Sequence, residues 1–133
     1  MKQGIALPSV QALIRLHEEL LDEHGGAGGI RDRAALDAAL ARPQQFLAYA
    51  DQDHVSVVEL AAALAVSLIR RHPFVDGNKR ISFMALGVTL GLNHLHLDVP
   101  EREATEVMIA LAAGTLDEQQ FSAWVERNTF EFR

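Results

Sequence analysis

Two helical runs that are apolar on nearly every side, joined by nine residues rich in polar groups, constrain this chain more than any other feature. The first, opening at Ser56, carries Leu60, Leu64, Ala65, Leu68 and Ile69 and reaches Arg71; the second, with Ile81, Met84, Ala85, Val88 and Leu92, is almost as apolar and ends near Gly91. A helix that is apolar all round has no face to give to water, so both runs belong at the centre of a packed domain. Ser56-Val57-Val58-Glu59 has the form of a capping box for the first run. The connecting loop, His72-Pro73-Phe74-Val75-Asp76-Gly77-Asn78-Lys79-Arg80, must then lie at one end of the core, and the second helix is expected to start between Asp76 and Asn78.

The other segments read as helices packed around this pair. Val10, Leu13, Ile14, His17, Leu20 and Leu21 form a stripe at helical spacing, ended by Gly25-Gly26. Residues 25–29 are a glycine-rich loop, and a second helix is expected from Asp32, as N-cap, to a break before Pro43. Residues 43–55 show no period and are expected to form a mobile loop. Asn93 to Val99 alternates histidine and leucine, as a short extended piece does. Pro100 to Ala113 reads as a fifth helix closed by Gly114, and Thr115-Leu116-Asp117-Glu118 as a capping box for a sixth that buries Phe121, Trp124 and Val125. The expectation is an all-α fold, a compact bundle of about six helices with a buried central pair. At 133 residues, it forms one domain, 1–133.

The loop carries the chemistry. His72 is its only side chain able to exchange a proton near neutral pH, which suits a general base acting on a hydroxyl. Asp76 is a hard oxygen donor suited to Mg²⁺. Gly77 lets backbone approach a phosphate, Asn78 offers an amide donor, and Lys79 and Arg80 can neutralise phosphoryl charge. Phe74 is the apolar wedge that anchors the loop. A helix N-terminus adds free N–H groups and a partial positive charge. Each residue taken singly has a plainer reading as cap, turn or solvated first turn; the ordered set points to phosphoryl chemistry.

Composition narrows the alternatives. A net charge of −6 disfavours nucleic acid as a direct partner, since such proteins need a basic face, while Arg70, Arg71, Lys79 and Arg80 concentrate positive charge around the loop. No apolar run approaches a membrane span and no secretory signal opens the chain, so no membrane association and a cytoplasmic location are expected. The absence of cysteine excludes disulfides and thiol nucleophiles. His94, His96 and Asp98 alternate as metal ligands on a strand would, but they read as the polar face of a connector. His17 reads as a core residue, His24 and His54 as loop residues, and Trp124 with Phe121 and Phe130 as core rather than a stacking surface.

His72 to Arg80 resembles the loop H-x-F-x-(D/E)-G-N-x-R of the Fic superfamily, most closely its death-on-curing (Doc) branch, which carries lysine before the arginine. Gly29-Ile30-Arg31-Asp32 and Ala41-Arg42-Pro43-Gln44 are similar to the same branch. AMP-transferring Fic enzymes read G-N-G-R-x-x-R, whereas here Lys79 takes the second glycine's place and Phe83 that of the second arginine. The resemblance implies a toxin that binds ATP with Mg²⁺ in a reversed pose and transfers the γ-phosphate, with His72 as base, Asp76 on the metal and Gly77, Asn78, Lys79 and Arg80 on phosphates. It further implies elongation factor Tu as acceptor through a threonine, a flap within residues 43–55, and an adjacent Phd-like antitoxin whose amphipathic helix fills an apolar groove. Ser122 to Arg127 approaches the self-inhibitory pattern (S/T)-x-x-x-E-(G/N) but fails at its last position, so restraint is expected from outside the chain. The competing readings are AMP transfer on the same fold and a catalytically silent module that binds an antitoxin or another protein.

Overall fold

The computed structural model describes residues 4–49 and 56–132. Six helices follow one another: α1 (Val10–His24), α2 (Arg33–Tyr49), α3 (Val57–Arg71), α4 (Asn78–Leu92), α5 (Glu101–Ala113) and α6 (Glu118–Arg127). Two short strands, β1 (Leu95–Leu97) and β2 (Thr129–Glu131), pair antiparallel with His96 opposite Phe130. The extended piece before Pro100 was legible as β1; its partner at the end of the chain was not.

α3 is the axis. Every residue from Leu60 to Ile69 is buried, as the all-apolar pattern requires. One face of α3 joins α4, α5 and α6 in a cluster that includes Val66, Ile69, Leu90, Met108, Leu111, Phe121 and Trp124. The opposite face joins α1, α2 and α4 through Leu13, Leu36, Leu64, Leu68, Phe74 and Ile81. Four alanines, Ala61, Ala62, Ala63 and Ala65, keep α3 slim enough for neighbours on all sides. Ser82 of α4 donates to the Ala65 carbonyl at 2.6 Å, satisfying a buried hydroxyl across the central pair.

Two boundary expectations need correction. α2 does not stop before Pro43 but runs through it to Tyr49, so residues 43–49 are helical rather than a loop; the remainder of that expected flap, 50–55, lies outside the described residues. Proline forfeits one ladder bond, yet Pro43 is buried in the bundle, and tertiary packing outweighs the local preference. The sixth helix is capped two residues later than expected. Asp117 accepts from the Gln120 amide at 2.8 Å and the Gln120 side chain returns the bond at 2.9 Å, while the Thr115 hydroxyl donates back to the Ala110 carbonyl of α5. Of the capping box expected at α3, the Ser56 half forms, its hydroxyl accepting from the Glu59 amide at 3.0 Å.

Candidate active site

The loop from His72 to Gly77 closes one end of the central pair. His72 is the C-cap of α3 and adopts a left-handed conformation, φ 48° and ψ 57°, which turns the chain sharply out of the helix. A non-glycine residue there is strained and has to be held. Arg31 holds it: its Nε donates to the His72 carbonyl at 2.6 Å and its Nη2 to the Arg71 carbonyl at 2.8 Å. The backbone before α2 adds a short antiparallel bridge between Ile30 and Phe74, with the amides of Arg31 and Asp32 both donating to the Pro73 carbonyl and Val75 to that of Gly29.

Phe74 is buried, as its apolar character predicts, and it contributes to the α1–α2 side of the core. Asn78 closes the loop from inside. Its Nδ2 donates to the Phe74 carbonyl at 2.9 Å and its Oδ1 accepts from the Phe74 amide at 3.1 Å, so its side chain binds the loop's own backbone. Asp76 stays exposed, with Oδ1 accepting from the Gly77 amide at 2.8 Å and Oδ2 from Ala27 at 3.4 Å. Gly77 is the N-cap of α4 at φ 77°, and no side chain caps that helix.

Among the described residues no side chain therefore claims the first amides of α4, at the point where Lys79 and Arg80, both exposed, leave the helix. His72, Asp76, Gly77, Asn78, Lys79 and Arg80 all line one groove of about 1110 Å³. The groove continues from the loop over Phe83, Met84 and Gly87 of α4 to Ala104 and Met108 of α5. A base, a carboxylate, cations and uncapped amides on one wall can receive a polyphosphate and take a proton from a hydroxyl beside it. His24, at the end of α1, also lines the groove.

Sequence reasoning missed two supports of this wall. His17 is buried as expected of a core residue, but its ring also stacks on Phe74 and its Nε2 meets the Asp76 carbonyl at 2.7 Å. Arg31 drew notice only through the Gly29–Asp32 resemblance. A polar residue in an apolar helical stripe was the available signal for the first. His94, His96 and Asp98 make no metal cluster among the described residues; His96 instead packs against Phe132 with ring centroids 4.8 Å apart. Nor does Glu126 line the groove.

The loop and the start of α4 together form one candidate site on a single groove at the end of the central helix pair. Residues 7–90, well over half the chain, match the model of the Fic/DOC family, and the chain belongs to that family, on its Doc toxin branch. It is 37% identical over 101 residues to Toxin Doc of Mycolicibacterium smegmatis, covering 74% of this chain and 77% of the relative. It is 28% identical over 109 residues to Protein kinase doc of Escherichia phage P1, covering 81% and 83% respectively. The BepC protein of Bartonella tribocorum, a VirB-translocated effector solved with bound AMPPNP, shares the fold at a TM-score of 0.53 and 20% identity. That match covers 76% of this chain and 49% of the other, so this chain spans about half the length of the effector.

Proposed function

We infer that this Doc-like chain is a phosphotransferase toxin that moves the γ-phosphate of ATP to a threonine hydroxyl of a translation factor, elongation factor Tu being the acceptor to test first. The observation that carries this reading is the uncapped N-terminus of α4, set in one groove with His72, Asp76, Lys79 and Arg80. Oriented amides and fixed cations stabilise charge on a transferring phosphoryl group without reorganising, which is most of what such a reaction requires. His72, which lines the groove and whose carbonyl is tied back to Arg31, takes the proton from the acceptor hydroxyl. Asp76 fits a hard divalent cation, its carboxylate being exposed and fixed by two amides. Bound there, Mg²⁺ would supply positive charge against the phosphates. Lys79 and Arg80 bind phosphate oxygens, Gly77, whose own N–H is held by Asp76, lets the backbone come close to them, and Asn78, its side-chain amide engaged with Phe74, contributes through its backbone at the helix start.

Lys79 and Phe83 favour γ-phosphate over AMP transfer. Lys79 fills the space that glycine leaves open in the AMP-transferring pattern, and Phe83 puts an apolar ring in the groove where a second arginine would clamp the nucleotide. Support also comes from the name of the phage P1 relative, a protein kinase. Beyond the loop, Met84, Val99, Met108 and Ile109 give the groove an apolar floor that suits an amphipathic antitoxin helix. The test is incubation of the protein and its His72→Ala variant with Mg²⁺, elongation factor Tu and ATP labelled at the γ or the α phosphate. Label from γ alone, lost in the variant, supports the kinase. Label from α means AMP transfer, and no label with no thermal shift by Mg²⁺-ATP means a silent binding module.

A further inference from the structure

We propose that His17, a residue of α1 remote in sequence from the loop and absent from the groove wall, is a positioning residue that sets where Asp76 and the start of α4 stand in the site. This rests on the reading of the loop as the site of phosphoryl transfer. His17 occupies the buried stripe of α1 between Leu13 and Leu20 and is itself 2% exposed. An imidazole there costs desolvation that a leucine would not, unless it is hydrogen-bonded. Its bond spans 59 positions to the Asp76 carbonyl at 2.7 Å, which requires the proton on Nε2.

Two further contacts make the ring a template for the loop. It lies face to face with Phe74, centroids 3.8 Å apart and planes 13° from parallel. Gly77, at φ 77°, passes so close that a Cβ on it would lie 3.4 Å from His17 Nε2. One side chain thus contacts the residue that anchors the loop, the carbonyl of the candidate metal ligand and the N-cap of α4. Drawing the Asp76 carbonyl inward leaves its carboxylate outside, and fixes the peptide from which α4 begins. Without the donor, that part-buried carbonyl loses its partner on the side facing α1, and the loop has a reason to move.

Paired substitutions separate the donor from the ring. His17→Phe keeps an aromatic face on Phe74 and removes the donor; His17→Gln keeps an N–H near the place of Nε2 and removes the ring. Three quantities are measured: thermal unfolding, ligand-free hydrogen exchange at the Phe74 and Ile81 amides, which bond to Asn78 Oδ1 and the Gly77 carbonyl, and kcat and KM for Mg²⁺-ATP. The expected result is a folded His17→Phe whose Phe74 and Ile81 amides exchange faster and whose kcat/KM falls about tenfold, with most of it recovered in His17→Gln. Should the Phe ring overpack and prevent folding, His17→Met repeats the comparison without a donor. The proposal is overturned if the donor-less variant matches wild type in exchange and kcat/KM, or if both variants lose activity only in step with their melting temperatures. Should wild type transfer no phosphate, the phosphotransferase reading fails, and the exchange comparison still decides the positioning role.

Discussion

At the scale of single residues, the site trades local strain for exposure. His72 sits in a left-handed conformation that costs a non-glycine residue roughly 1–2 kcal/mol, and Arg31 offsets that cost with two bonds to consecutive carbonyls. His72→Gly is therefore expected to raise the unfolding free energy by about 1 kcal/mol, read as a higher urea midpoint, while abolishing transfer. A drop in stability would show that the imidazole contributes more to the fold than its exposed position indicates. Gly26 offers a second test at this scale. At φ 117°, with a Cβ that would fall 2.8 Å from Asp76 Oδ2, Gly26→Ala must move the carboxylate or its own backbone. A raised Mg²⁺ requirement for transfer is expected, with about 1–3 kcal/mol lost in urea unfolding from the forced conformation. The loop itself was legible because its chemistry is contiguous in sequence. Its supports were not: His17 and Arg31 reach it across 59 and 41 positions, and no local pattern encodes such a pairing.

Among the elements, the helices whose burial follows from composition were read to within a residue or two, whereas boundaries set by competition were not. α3 and α4 carry too much apolar surface to lie anywhere but the centre. α2 holds its one proline in a buried position with Phe46 and Leu47 half-buried beyond it, and packing wins. The start of α6 turns on two candidate caps in four residues. Thr115 satisfies its hydroxyl at the end of α5, which leaves Asp117, paired reciprocally with Gln120, to open the helix. Asp117→Ala should consequently cost about 1 kcal/mol in urea unfolding, and Thr115→Ala only a few tenths. Equal losses would mean that both residues cap. The β1–β2 pair escaped the sequence reading because Thr129–Glu131 is too short to show alternation, and its pairing depends on α6 delivering it beside β1.

The whole molecule is two apolar clusters that share the central helices α3 and α4, and this predicts how it unfolds. Leu64 and Leu68 of α3 belong to the cluster with α1 and α2; Val66 and Ile69 belong to the cluster with α5 and α6. Neither cluster can lose its packing while α3 stays ordered for the other, so one cooperative transition is expected despite two cores. The single tryptophan makes this measurable, since Trp124 lies in the second cluster only. Leu36, fully buried on α2, lies in the first. Leu36→Ala should cost about 2–5 kcal/mol, and the loss should appear at the same urea concentration by Trp124 fluorescence as by circular dichroism. If the fluorescence midpoint stays at the wild-type value while helical signal is lost earlier, the clusters unfold separately. The His72–Arg80 loop would then follow the first, because Phe74 and His17 anchor it on that side. Coincident midpoints would instead mean that the stability of the site is that of the entire bundle.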